Sequence, residues 1–230
     1  MRIRSSGVFR IVRRVFWWFL GFQAVVVFLF AFINPPTNYY MMSEKFRLGS
    51  IKQQWVDLEA IAPDMARAVV AAEDAGFCEH WGFDLDAIRA VVAEGKGGRL
   101  RGASTISQQV AKNVFLWPSR SWIRKAFEAE LTLFIELFWS KRRIIEVYLN
   151  VAEFDQGVFG VGAAGPHYFG VSAADLTLLQ AARLAAVLPS PKTRSASKPS
   201  RTLRQRTAMI MQGARTIAAD GRDQCFQVLK

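Results

Sequence analysis

Val15 to Ile33 reads VFWWFLGFQAVVVFLFAFI, nineteen residues without a charge and with Gln23 as the one strongly polar side chain. As a helix, that length crosses a hydrocarbon core of ~30 Å. Arg2, Arg4, Arg10, Arg13 and Arg14 precede it with no acidic residue among them. The excess of positive charge places the N-terminus in the cytoplasm and residues 34–230 on the far side of the membrane. A cleaved signal peptide would carry a shorter apolar region of ~7–15 residues ending in small residues. Here the stretch exits into Asn34-Pro35-Pro36-Thr37, so the reading is an uncleaved anchor. The organisation that follows is a basic tail (1–14), a transmembrane helix (15–33), a linker and membrane-proximal segment (34–60) and one exported domain (61–230).

The chain has 230 residues, of which 51% are hydrophobic, and a formal charge of +11. The five leading arginines carry five of those charges, leaving +6 on residues 34–230. That surplus suits an anionic membrane surface or a phosphate-bearing substrate. Nucleic acid is the usual partner of a basic chain, but an anchored, exported domain does not meet it. Cys78 and Cys225 could pair in an oxidising compartment. Two cysteines set no framework, and the place of Cys78 inside a candidate active-site segment argues for two free thiols.

Downstream, helical periodicity dominates and no alternating strand pattern of any length is found, so the class is α-rich. Pro63 suits a first helical turn and Asp64 favours its N-terminus. Met65, Val69, Ala72 and Glu73 share one face, so Glu73 projects from the packed side. Asp74 points about 100° away. Gly76 or Gly82 ends this element, and Leu85 to Ala93 forms another. After the basic Gly95–Arg99 loop, Ser104 is the expected N-cap of a helix to about Asn113. Trp117-Pro118-Ser119 breaks the chain. Ser121 opens a long helix with the apolar stripe Ile123, Phe127, Leu131, Phe134 and Phe138. Ser140 starts the next helix. Gly157, Gly160, Gly162 and Gly165 allow close backbone approach. Ser172 is expected to cap a helix through Leu188, and a final helix covers about Leu203 to Ala219.

Three groups carry chemistry. Glu73 on an apolar face is desolvated and so strengthened as a base; a structural ion pair is the plain alternative. Ser104, Gln108 and Lys112 fall at i, i+4 and i+8 on one polar stripe. The free N–H groups at the helix start would attract an anion there. A solvated helix face explains the same stripe. Arg120, Arg124 and Lys125 extend the positive field. Glu128, one turn after Arg124, is either a second working carboxylate or half of an ordinary i,i+4 pair. His80 and His167 lack partners at metal spacing and read as structural. Val114-Phe115-Leu116-Trp117 either dips into lipid or belongs to the core.

Taken together, EDAGFCEHWGFD (Glu73–Asp84), RGASTISQQVAKN (Arg101–Asn113), RKAFE (Arg124–Glu128), KRRIIEVYLN (Lys141–Asn150) and GVFGVGAAGPHYFG (Gly157–Gly170) resemble the ordered motifs of the peptidoglycan glycosyltransferases, family 51 of the glycosyltransferases. The chain stops with no room for a penicillin-binding transpeptidase domain. It is therefore similar to the monofunctional biosynthetic transglycosylases of Gram-negative bacteria. The resemblance implies a mainly α fold with a lysozyme-like head and a small membrane-apposed jaw, behind one N-terminal transmembrane helix. It implies polymerisation of lipid II into β-1,4 glycan strands with release of undecaprenyl diphosphate and inversion at the anomeric carbon. Glu73 is then the general base and Glu128 the second important carboxylate. Arg89 contacts substrate from the jaw. Lys112 and Arg120 hold the diphosphate, with Ser104, Gln108 and Asn113 around them and Arg124 and Lys125 nearby. A divalent cation, Mg or Mn, is implied by the resemblance alone. The implied partners are lipid II, the growing strand, the inner membrane and proteins of cell-wall elongation or division. Pro166, inside an expected helix, and Gln180, where relatives commonly carry Glu, depart from the pattern. A glycan-cleaving enzyme of similar fold and an inactive envelope scaffold are the competing readings.

Overall fold

The computed structural model describes residues 5–93, 104–119 and 121–227. Among these the chain is mainly helical. In order, the elements are α1 (Ser5–Phe30), α2 (Tyr39–Leu48), β1 (Lys52–Gln53), α3 (Pro63–Glu73), α4 (Leu85–Ala93), α5 (Ile106–Phe115), α6 (Trp122–Phe138), α7 (Lys141–Val151), β2 (Glu153–Asp155), β3 (Val158–Phe159), α8 (Val161–Phe169), α9 (Leu178–Val187) and α10 (Arg201–Asp220).

The apolar helix α1 starts ten residues before Val15, so that Arg10, Arg13 and Arg14 ride on its first turns, and it ends at Phe30. Its stretch Gly7–Phe30 is long and apolar enough to cross a membrane. Its second half packs along α6, which is where the stripe read from sequence goes. Phe19 meets Phe127 edge-on at 6.0 Å and Phe28 meets Phe138 at 5.7 Å. Polar ties fix the pair: Gln23 Nε2 donates to Glu130 Oε1 (3.2 Å) and Trp139 Nε1 to the Val27 carbonyl (2.7 Å). Arg143 donates to the carbonyls of Phe30 and Ile33, groups that the end of α1 leaves without helical partners. The opposite face of α6 enters the body of the protein and buries Glu128, Thr132, Ile135 and Glu136.

α2, β1 and a short 3-10 turn at Leu58–Ala60 lie within the segment read as a linker. Asn38 caps α2 by accepting from Met41 N (2.8 Å). β1 then pairs in parallel with β3, which also pairs antiparallel with β2. Strands this short leave no periodicity to read. Asn150, wholly buried on α7, holds the linker by a two-way bond to Val56: Oδ1 accepts from its N–H and Nδ2 donates to its carbonyl, both at 2.8 Å. The glycines here work as the sequence implied. At Gly160 (φ 75°) a Cβ would lie 2.7 Å from Asn150 O, and at Gly162 one would lie 2.4 Å from Gln54 O.

α3, α9 and α10 pack as a second group. Ala181, Ala182, Ala185 and Ala186 are fully buried in α9, and Gly213 lets α10 approach Ala71 of α3. α9 begins at Leu178 rather than after Ser172. Thr177 is its N-cap and Gln180 completes the capping box, while Ser172 Oγ donates to Asp175. Gln180 therefore has a local task at the N3 position, which an amide fills as well as a carboxylate. α8 runs through Pro166 unbroken to a left-handed Gly170. α3 ends at Glu73, three residues before Gly76.

Cys78 and Cys225 form a disulfide, with Cα atoms 5.7 Å apart and 147 residues of separation. This overturns the expectation of free thiols; the proximity comes from α10 folding back over α3, which no local pattern reveals. Closing so long a loop restricts the unfolded chain, an effect of roughly 2–4 kcal/mol. Cys225→Ser, or reduction of the native protein, is expected to lower unfolding stability by about that amount, read from chemical denaturation with and without reductant.

Candidate active site

Glu73 is the last residue of α3, and the chain turns at Asp74 so that the two neighbouring carboxylates diverge. Asp74 is buried. Its Oδ2 accepts from Ile106 N (2.9 Å) and its Oδ1 pairs with His80 Nε2 (2.8 Å). The start of α5 is thus already occupied by an internal carboxylate. Thr105, not Ser104, is the N-cap: its hydroxyl accepts from Gln108 N, and the Gln108 side chain accepts from Thr105 N. Ser104 is exposed one residue earlier, and Gln108 is buried in the capping box. The expected anion site at this helix start is therefore filled, and the open polar face of α5 is its later half.

That later half forms a wall of a cleft of about 440 Å³. Gln109, Lys112, Asn113 and Leu116 line one side, followed by Trp117, Pro118, Ser119 and Arg124; Tyr40, Tyr148, Glu153, Leu188 and Pro191 face them. Gln109 and Lys112 are one turn apart and so share a face. Gln109 bridges the cleft to Glu73. Its Nε2 donates to Glu73 Oε2 (3.1 Å), and its Oε1 accepts from the buried Tyr148 hydroxyl (3.1 Å). The other Glu73 oxygen, Oε1, is buried without a hydrogen bond and has Arg206 Nη2 at 3.6 Å. Burial raises the Glu73 carboxyl above the ordinary value of 4.5, against the opposing pull of Gln109, Arg206, Lys112 and Arg194.

Lys112 has many protein atoms around it yet keeps exposed surface, because it projects into the open cleft. The crowding lowers its pKa, with Glu128 acting the other way; cleft water tempers that shift. Glu128 is buried at the base of the same wall. Arg124 Nη1 meets its Oε2 at 2.6 Å, Lys125 Nζ meets its Oε1, and Arg124 Nε also donates to the Ser119 carbonyl (2.7 Å). Glu128 is therefore a clamp that aims Arg124 at the cleft. Arg89 is exposed on α4, paired with Asp86 at 3.0 Å, and lines no part of this cleft. Arg120, the Gly95–Arg99 loop and Arg101–Ala103 lie outside the described residues.

Among the described residues no group of three or more His, Cys, Asp or Glu is placed to hold a metal. Both oxygens of Glu128, the carboxylate expected near a cation, are engaged by Arg124 and Lys125. These donors do not form a divalent-cation site, and no step below runs through one. His80 and His167 each pair with an aspartate, Asp74 and Asp155. Val114 and Leu116 are core, Phe115 stacks on Phe30 at 5.8 Å, and Trp117 stays partly exposed beside Phe127.

Sequence reading missed Gln109, Tyr148, Arg206 and the far wall of Tyr40 and Glu153. Gln109 stands beside a residue that was singled out, and helical spacing from Lys112 was the signal that could have found it. Arg206 comes from α10, a helix the sequence marks but whose approach to Glu73 it does not.

A family model described as Transglycosylase matches residues 37–215. Proteins named biosynthetic peptidoglycan transglycosylase are similar along nearly the whole chain. One from Jannaschia sp. (strain CCS1) is 55% identical over 202 residues, covering 88% of this chain and 83% of its own. One from Pseudomonas putida (strain W619) is 47% identical, with 89% and 90% covered. One from Caulobacter vibrioides is 46% identical, with 87% and 88% covered.

Gln109 stabilises the ionised Glu73. Gln109→Leu is expected to raise the Glu73 pKa further above 4.5, observable as an upward shift in the carboxyl ¹³C NMR titration.

Proposed function

The chain belongs to the transglycosylase family and is a peptidoglycan glycosyltransferase of cell-wall synthesis; from that premise we propose that it polymerises lipid II, with Glu73 as the general base of an inverting transfer. The observation that carries this reading is the bridge through Gln109, which ties a desolvated carboxylate to the helix face that carries Lys112 one turn on.

In the proposed step Glu73 removes the proton from the 4-hydroxyl of the acceptor N-acetylglucosamine. That oxygen attacks the anomeric carbon of the donor chain from the face opposite the lipid diphosphate. The bond to the diphosphate breaks, its electron pair leaves with undecaprenyl diphosphate, and the α linkage becomes β-1,4. Negative charge builds on the leaving oxygen, and preorganised cations stabilise it before solvent needs to reorganise. Lys112 supplies a mobile point charge. Arg124, held by Glu128 and Ser119, supplies a fixed one. Arg120 is assigned to the same task by sequence alone.

A glycan-cleaving enzyme would use a carboxyl of raised pKa as an acid, and Glu73 alone fits that too. The cationic wall separates the two readings, since hydrolysis of a glycan releases no diphosphate. An inactive scaffold would have no need of a buried, unsatisfied Glu73 oxygen. For location, the reading is a single-pass inner-membrane protein with its catalytic part in the periplasm. The arginines on the first turns of α1 support it, as does the Cys78–Cys225 bond, which persists in oxidising compartments.

The test is incubation of the detergent-solubilised protein with fluorescent lipid II, then gel separation with and without muramidase. A muramidase-sensitive ladder is expected. Shortening of added polymer with lipid II untouched would overturn the proposal. Glu73→Gln should lose at least ~10²-fold in rate while unfolding no earlier than the parent, because it removes a carboxylate whose ionisation opposes folding. The sign follows from the raised pKa: the native state holds the proton more tightly, so stability falls as pH rises above 4.5. The acid limb of kcat/KM should likewise lie above 4.5. Lys112→Ala should reduce kcat/KM by roughly 10²-fold, with KM and kcat both affected.

A further inference from the structure

A second cavity, of about 260 Å³, lies between the anchor helix and the catalytic body. Phe22 and Val26 of α1 face Phe127 and Leu131 of α6, and the end wall is Leu116 and Trp117. Those two residues also line the cleft that holds Lys112 and Arg124. The cavity is almost wholly apolar. Its polar side chain, Gln23, is engaged with Glu130. One face is a helix able to cross a membrane, and the end wall is shared with the cleft that carries the cations.

We propose that this groove receives the isoprene units nearest the diphosphate of the lipid-linked substrate, so that the anchor helix is itself a wall of the substrate site. The inference rests on the lipid II reading above. A polyprenyl diphosphate joins its charge directly to a hydrocarbon chain, and the structure offers that same sequence of environments, with Lys112 and Arg124 followed at once by Leu116 and Trp117. A phospholipid differs in its chemistry. Its ester carbonyls stand between phosphate and acyl chains and would enter a groove whose one polar group is already engaged. The volume is far below that of a whole polyprenyl tail, so only its first units enter and the rest stays in the bilayer.

The experiment uses the full chain in phosphatidylcholine nanodiscs. A photoreactive amino acid replaces Val26, which lines the groove, or Val25, which is exposed on another face of α1. The probe is undecaprenyl diphosphate carrying a label in its first isoprene units. Capture from position 26 and not from 25, competed by unlabelled lipid II, is the expected result. Equal capture from both positions, or capture of bulk phospholipid at 26 that lipid II does not displace, overturns the groove. In turnover, Val26→Trp should raise KM for lipid II roughly tenfold by filling the groove, with Val25→Trp near the parent; equal KM values overturn the proposal. Capture needs no catalysis, so the two readings fail separately. Capture without glycan synthesis would remove the polymerase reading and leave the groove, and a ladder without capture would do the reverse.

Discussion

The Asp74 carboxylate is the fixed point of the site. It follows Glu73 directly, and by binding Ile106 N and His80 it ties the end of α3 to the start of α5. With the backbone held there, the next side chain back can only turn the other way, toward Gln109. Gln109 and Lys112 then follow one turn apart on α5. Removing Asp74 would orphan a buried amide and let α3 and α5 slide, a cost of about 1–3 kcal/mol for the unmet donor alone. A helix start closed by an internal anion leaves the open polar face of α5 to its later half, where Lys112 and Asn113 line the cleft.

The buried charges divide by whether they are satisfied. Glu128 has two cations, and Glu136 accepts from Ser107 and Lys141. Both are spent on holding other groups in place. Glu73 keeps one oxygen without a hydrogen bond. A buried carboxylate oxygen that faces Arg206 at 3.6 Å without a hydrogen bond is costly, and such local cost is where working groups are found. The cationic wall of the cleft and the Glu73 carboxylate behind it are therefore joined through the amide of Gln109. Tyr148, itself buried, fixes which way that amide points.

Helix existence was legible wherever an apolar period was strong. Pro63, Leu85, Ser121 and Ser140 mark their helices in the structure as in the sequence. Starts were misread where two hydroxyl residues competed. Ser104 stands beside Thr105, and Ser172 lies upstream of Thr177; in both cases the true cap is the one with a glutamine three residues on. That reciprocal bond was visible in the sequence and was not weighed. The α6 stripe was read correctly as apolar, but its partner was not: it packs on the anchor, while the face carrying Glu128 and Glu136 goes inside. Periodicity reports which side avoids water and says nothing of what covers it. The disulfide, the β1–β3 pairing and the reach of Arg206 all depend on distant segments meeting, which one sequence does not encode locally. Family motifs named Glu73 and Lys112; that Gln109 connects them emerged only from the fold.

The Cys78–Cys225 bond also has a bearing on time. It encloses every described residue lining the cleft except Tyr40, leaves Glu73 just outside, and its second cysteine follows the last lining residue, Pro191. A chain made from its N-terminus therefore completes the cleft before it can close the clasp. Closure further requires an oxidant, which the reducing cytosol does not supply. The covalent state of one pair thus becomes a redox record, distinguishing a chain that has met an oxidising compartment from one that has not.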